Sequence, residues 1–182
     1  MWRAGSLTLS SNRKFLPLLG LLALAGCGFT PLYGGDDGAE VQGQLEQVKI
    51  ANIPERPGQL LHEALEAQMQ RQGSPTQQLY VLNVNYVITP DAVGVQADSS
   101  VSRVRYNATA QWILNPIGAP TQKLASGQAV TSDALNVIDQ QYFAQSLEAS
   151  TVNRQLADQI AAQIAQQVAV YFRTHPAAPA PG

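Results

Sequence analysis

The sequence predicts an α+β domain: a four-stranded sheet, mainly antiparallel or mixed, with two helices packed on one face. Two stretches, Leu79–Thr89 and Arg103–Asn115, alternate apolar and polar residues with a period of two and so predict half-buried strands. Two others repeat apolar residues at every fourth position, Leu61-Leu65-Met69 and Leu156-Ile160-Ile164-Val168-Phe172, and so predict amphipathic helices. Each of these faces would be left in water alone; packed together they cover one another.

The start of the chain does not read as part of a fold. Arg3, Arg13 and Lys14 form a positive region, followed by the uncharged, apolar run Phe15–Ala25 and then Leu24-Ala25-Gly26-Cys27. That pattern predicts a secretory signal over residues 1–26. The run is about 11 residues long, short of the ~20 that span a bilayer as a helix. Leu24-Ala25-Gly26-Cys27 resembles the bacterial lipobox: small residues for a peptidase pocket, then a thiol to carry diacylglycerol. The alternative is a buried free cysteine in an ordinary secreted protein. Each buried methylene of a lipid contributes roughly 0.8 kcal/mol, and one acyl chain anchors only marginally. Lipoproteins of this kind carry a diacylglycerol and an N-acyl chain, which together anchor stably. Gly28 stands where an aspartate would favour inner-membrane retention, so the family pattern points to the outer membrane.

Cleavage before Cys27 leaves about 156 of the 182 residues, enough for one domain with a real core. It removes three basic residues and no acidic one, moving the net charge from −2 to about −5. That balance argues against a nucleic-acid partner, which calls for a basic surface. The single cysteine is spent on lipid, so no disulfide, redox centre or structural zinc site is expected, and no cofactor beyond the covalent lipid.

Residues 27–43, with Gly28, Gly34, Gly35, Gly38 and Gly43, predict a flexible lipidated tether, interrupted by Phe29, Leu32 and Tyr33. A single domain is expected over residues 44–175. Gln44–Ile53 predicts a short strand, ended by Pro54 and Pro57. Gln59–Gln72 predicts the first helix, stopped by Gly73, Ser74 and Pro75. In the first alternating stretch, Tyr80, Leu82, Val84, Tyr86 and Ile88 share a face. Pro90 interrupts the pattern, and an extended chain is expected to continue to Val95. In the second, Val104, Tyr106, Ala108, Ala110, Trp112 and Leu114 lie opposite Arg103, Arg105, Asn107, Thr109 and Gln111. The two form an antiparallel hairpin with its tip near Asp98 to Ser102. Leu124–Asp133 predicts a fourth strand, sparse in apolar residues and so placed at an edge. Ser150–Thr174 predicts a long helix with Ala157, Ala161 and Ala165 beside its stripe. A four-residue step advances about 40° around the axis, so the stripe winds, which suits a twisted sheet. Pro176 ends it, and an Ala/Pro tail over residues 176–182 is expected to be disordered.

Catalysis finds little support. His62 and His175 lack a converging third group and read as surface residues; Glu63 and Glu66, with Arg71 nearby, read as a solvated face. There is no Gly-x-Ser-x-Gly elbow and no phosphate-binding glycine loop, and Asp36-Asp37 lacks EF-hand spacing.

The start Cys27-Gly28-Phe29-Thr30-Pro31-Leu32-Tyr33, then Leu79-Tyr80-Val81-Leu82-Asn83-Val84 after the first helix, and the arm Arg103-Val104-Arg105-Tyr106 leading to Trp112 resemble the lipopolysaccharide-assembly lipoprotein family, LptE. The resemblance spans most of the mature chain and is most specific at its start. It implies a non-catalytic subunit that plugs and stabilises a large outer-membrane β-barrel, an LptD-like translocon protein. The pair places lipopolysaccharide in the outer leaflet, and the lipoprotein binds lipopolysaccharide itself. Asn83, Asn85, Asn107, Thr109 and Gln111 would then meet a polar barrel lumen, or else simply face water. Arg103 and Arg105 share a strand face and suit phosphates such as those of lipid A, with Lys123 a weaker candidate at the opposite turn. The alternative is solvated arginines. The loop Asp91–Ser102 either enters the barrel or stays mobile. A second functional class remains open, a lipid-binding or accessory lipoprotein of another envelope transport complex.

Overall fold

The computed structural model describes residues 36–71, 73, 77–95, 101–136 and 142–176. The signal segment, Cys27, the first part of the expected tether, residues 96–100 of the hairpin tip and residues 177–182 lie outside the described residues. All described elements belong to one unit. They are α1 (Asp36–Glu46), β1 (Val48–Ile50), α2 (Glu55–Met69), β2 (Tyr80–Val95), β3 (Val101–Pro116), β4 (Ala125–Asn136) and α3 (Tyr142–Thr174).

The sheet runs in the order β1-β2-β3-β4 and is mixed. β2, β3 and β4 form an antiparallel meander, whereas β1 pairs with β2 in parallel, Val48 to Tyr80 through Ile50 to Leu82. A parallel pair needs a crossover, and α2 supplies it. The expected fold class holds, with three helices where two were expected.

The additional helix is α1. Residues 36–43 were expected to belong to a tether because of Gly38 and Gly43, but they are helical. The reason is tertiary: Val41 and Leu45, four apart, are buried in the common core, and this burial overrides the glycines' poor helix propensity. Gln42 reinforces the docking, its Nε2 donating to the Met69 carbonyl at 3.1 Å.

α2 begins at Glu55, four residues before its expected start. Pro57 falls in its first turn, where no intrahelical N–H is needed. Gly58 lies so close to the preceding loop that a Cβ would meet the Ile53 carbonyl oxygen at 2.8 Å. α3 likewise starts at Tyr142, eight residues earlier than expected.

β2 does not end at Pro90. Leu82 C=O accepts from Ala51 N–H at 2.9 Å, while Leu79 C=O accepts from Ile117 N–H at 2.9 Å. Even-numbered residues of β2 therefore turn their backbone groups away from β3. Pro90 occupies such a position, opposite Tyr106, where its missing N–H breaks no rung of the β2–β3 ladder. The pairing shifts only between Ala92 and Val95, next to the hairpin tip.

The core lies between one sheet face and the helices. α3 contributes Leu156, Ile160, Ile164, Val168 and Phe172, α2 contributes Leu61, Leu65 and Met69, and the sheet contributes Leu82, Ala108, Ala110, Trp112, Leu114 and Ala129. Alanines on both sides, Ala157, Ala161 and Ala165 facing Ala108, Ala110 and Ala129, allow close approach of helix and sheet. Phe172 packs on Tyr80 with ring centroids 5.0 Å apart. Burying each large side chain stabilises by roughly 1.5–3 kcal/mol.

β4 is an edge strand, as its sparse apolar pattern predicts, and α3 guards it. Gln163 accepts from Val130 N–H at 3.3 Å and donates to Val130 C=O at 3.2 Å. Gln167 Nε2 donates to Gln128 C=O at 3.0 Å, and Thr131 donates to Gln159. Glutamines at four-residue spacing thus satisfy backbone groups that would otherwise invite another strand.

Candidate functional site

The helices leave the second sheet face open, and cross-strand register sets its side chains in rows. Asn83, Ile113 and Ser126 form one row, Asn85, Gln111 and Gln128 the next, then Val87, Thr109 and Val130, then Thr89, Asn107 and Ser132. Period-two alternation with one face sealed forces this arrangement, because a one-residue slip would send the whole apolar set outward. The upper rows are uncharged: amides and hydroxyls with three exposed aliphatic side chains among them. Val87 is 52% exposed, Val130 55% and Ile113 43%.

A groove of about 630 Å³ crosses this face. Asn52, Asn83, Asn85, Gln111, Ser126 and Gln128 supply its polar wall, and Ala51, Val84, Trp112 and Ile113 its apolar one. One wall is held rigidly. Asn83 Nδ2 donates to Asn115 Oδ1 at 3.3 Å, and Asn115, itself buried, donates to Gln122 C=O at 2.8 Å. Such a surface offers fixed donors and acceptors with no net charge. It can hydrogen-bond another polar surface or the hydroxyls of a sugar, and it holds no nucleophile with a base beside it.

Arg103 and Arg105 both stand exposed on the open face near the hairpin end of β3, so the structure brings this pair together. Arg105 lies between Asp91 on β2 and Ala134 on β4. Lys123 does not join them: it precedes Leu124, whose N–H donates to Leu114 C=O at the other end of β3. Leu114 lies nine positions along β3 from Arg105, roughly 30 Å at about 3.3 Å per residue. One phosphate group cannot touch both ends.

The histidines are engaged locally. His62 Nδ1 lies 3.7 Å from Glu66, one turn on, and His175 stacks on Tyr171 with centroids 4.5 Å apart. Among the described residues no cluster of three His, Cys, Asp or Glu could hold a metal ion, and no helix is long and apolar enough to cross a membrane.

On the sealed face, burial pushes the Tyr86 hydroxyl up to about 12, and that hydroxyl is buried with no hydrogen-bond partner. Sequence reasoning missed the contribution of β4 to the open face, Ser126, Gln128 and Val130, because register and not pattern places them there. It also missed Asn52, which reaches the groove from the loop after β1.

The family model described as Lipopolysaccharide-assembly, LptE, matches residues 45–169 of the chain, from the last turn of α1 to within the last turns of α3. No curated protein sequence matches significantly. Among solved structures, a candidate lipoprotein from Caulobacter crescentus superposes with a TM-score of 0.57 at 24% identity, over 73% of this chain and 96% of that one. A minor lipoprotein from Acinetobacter baumannii gives 0.54 at 15% identity, over 69% and 92%. Rare lipoprotein B from Shewanella oneidensis gives 0.51 at 12%, over 68% and 92%. These likenesses establish a common fold.

Proposed function

The chain belongs to the LptE lipopolysaccharide-assembly family, and from that premise we propose that it is a non-catalytic outer-membrane lipoprotein that plugs and stabilises the large β-barrel of the lipopolysaccharide translocon. Lipid on Cys27 holds it to the membrane. The observation that carries this reading is the two-sided sheet: helices seal one face, and the other presents uncharged amides in rows. A barrel lumen is polar, so a plug must exchange hydrogen bonds with its wall without burying unpaired charge. The uncharged face around Gln111 meets that requirement.

Arg103 and Arg105 extend from the same face toward the hairpin tip, where they would meet phosphates of lipopolysaccharide; Lys123 would make a separate contact. The other reading, a lipid-binding or accessory lipoprotein of another envelope complex, calls for a closed apolar cavity. The groove is instead open and mixed, with the amides of Asn83, Asn85, Gln111 and Gln128 beside Val84, Trp112 and Ile113, which suits a protein or sugar surface better than acyl chains alone.

The test is extraction of the full lipidated chain, co-expressed with its cognate barrel, in mild detergent. Co-elution of the two is expected, and Gln111→Arg, a charge set in the middle of the uncharged rows, is expected to abolish it without unfolding the free chain. Elution as a monomer carrying phospholipid would overturn the proposal.

A further inference from the structure

The two edges of the sheet are treated differently. Along β4, glutamines of α3 occupy the outward backbone groups at Gln128 and Val130. Along β2, the cover is three residues of β1, and the last bond to it is Ala51 N–H to Leu82 C=O. Beyond that point Val84, Tyr86 and Ile88 turn N–H and C=O outward, by the alternation that Leu79 and Leu82 fix, with no backbone partner among the described residues.

The open window is bounded. The Ala51–Leu82 bond closes it below; above, Pro90 withholds a donor and the irregular pairing at Ala92–Gly94 breaks the edge. Between them lies Asn83-Val84-Asn85-Tyr86-Val87-Ile88-Thr89, with no charged residue. Exposed edges are ordinarily guarded by charge, proline, bulges or a covering element. Here the guards stand only at the ends, so the interval between them is available to one short strand. Val84, Tyr86 and Ile88 are also only half-buried at the rim of the core, so an apolar side chain on an added strand would complete their cover.

We infer that Asn83–Thr89 is a docking edge for an extended, uncharged segment with apolar residues at alternate positions, belonging to the same partner that covers the open face. This rests on the barrel-plug reading above. A second copy of the chain is a poorer occupant. Stable interfaces take about 20–30 residues a side, and seven residues of edge fall far below that. A segment of a partner already held by the amide rows needs only to add to an existing interface.

Hydrogen–deuterium exchange on the detergent-solubilised full chain, alone and in complex with its barrel, tests the inference over the peptide spanning residues 82–90. Alone, the amides of Val84, Tyr86 and Ile88 should exchange fast, while Asn83, Asn85, Val87 and Thr89, bonded toward β3, exchange slowly. In the complex the three fast amides should slow by roughly a hundredfold. Ile88→Pro deletes an outward donor, as Pro90 does, and also trims a half-buried side chain, for which Ile88→Ala, donor intact, is the control. Ile88→Pro should leave the β2–β3 ladder intact yet weaken the complex about tenfold, the loss of one hydrogen bond. A complex in which the three amides stay fast refutes the docking edge while the plug reading stands. Failure to form any complex refutes the plug reading. Slow exchange in the isolated chain, whether it sediments as monomer or dimer, refutes the docking edge too, since the edge would then belong to the chain itself or to a second copy.

Discussion

The indole N–H of Trp112 donates to Gln167 Oε1 at 2.9 Å, tying the central strand to α3 directly over Gly127. A Cβ on residue 127 would meet Gln167 Oε1 at 2.6 Å and the Trp112 ring at 2.8 Å. Gly127→Ala must therefore displace a side chain from a packed core, at a cost of about 1–3 kcal/mol. Gln167→Leu leaves the indole N–H unpaired and should cost about 1–3 kcal/mol. Urea unfolding should show a lowered midpoint with an unchanged slope in both variants, and the double variant should cost less than the sum because the same contact is lost twice.

Gln163 guards the β4 edge with both ends of its amide. Gln163→Ala should cost about 1 kcal/mol in unfolding free energy. It should also raise aggregation during refolding, because Val130 is then both exposed and unpaired. Light scattering on dilution from urea measures this, with Gln166→Ala, on the exposed side of the same helix, as the control.

Tyr86 gives the fold an alkaline limit. Its folded-state ionisation is raised from 10.0 to about 12 by burial. In that interval the unfolded chain gives up the proton and the folded one keeps it. The contribution is complete below pH 10 and is lost as pH rises toward 12. Tyr171, raised by burial and then by Tyr80, acts with the same sign. Tyr86→Phe should flatten the fall in stability between pH 10 and 12. It should also stabilise the protein near neutral pH, because the hydroxyl it removes is buried without a partner. Urea midpoints between pH 8 and 11 decide; a midpoint at pH 8 lower than wild type would contradict the assignment.

Arg103 and Arg105, side by side on the open face, should act together toward a phosphorylated ligand. Replacing both with alanine is expected to weaken binding of purified lipopolysaccharide by about tenfold or more, as charged hydrogen bonds contribute about 1.5–3 kcal/mol each. Lys123→Ala, at the far end of β3, should have a smaller and additive effect. Surface plasmon resonance at two salt concentrations measures both effects, and unchanged affinity in the double variant would remove the arginines from the site.

The β2–β3 hairpin was legible because one sealed face imposes strict alternation, and Leu82, Trp112 and Leu114 announce it. The α2 and α3 stripes were legible for the same reason. α1 was not: Val41 and Leu45 are only two apolar positions among glycines, and their burial depends on α3, more than 100 residues away. Pro90 read as an interruption, with the chain extended beyond it to Val95, because a sequence does not say which way a strand's N–H groups point. Gln159, Gln163 and Gln167 read as generic polar residues, because their work at the β4 edge exists only once the helix lies beside it. The site was half legible: the polar face of β3 could be read, but the rows need the register of three strands.

α1 and the end of α3 meet around a cavity of about 260 Å³ bordered by Val41, Gln44 and Phe172. The first described helix is therefore seated by the last turns of α3. A chain cut short before Phe172 can form its meander but has nowhere to lodge Val41 and Leu45, and stays visibly unfinished to a protease. Closure of the interior therefore waits on α3, and copies that lack its last turns stay open to cleavage.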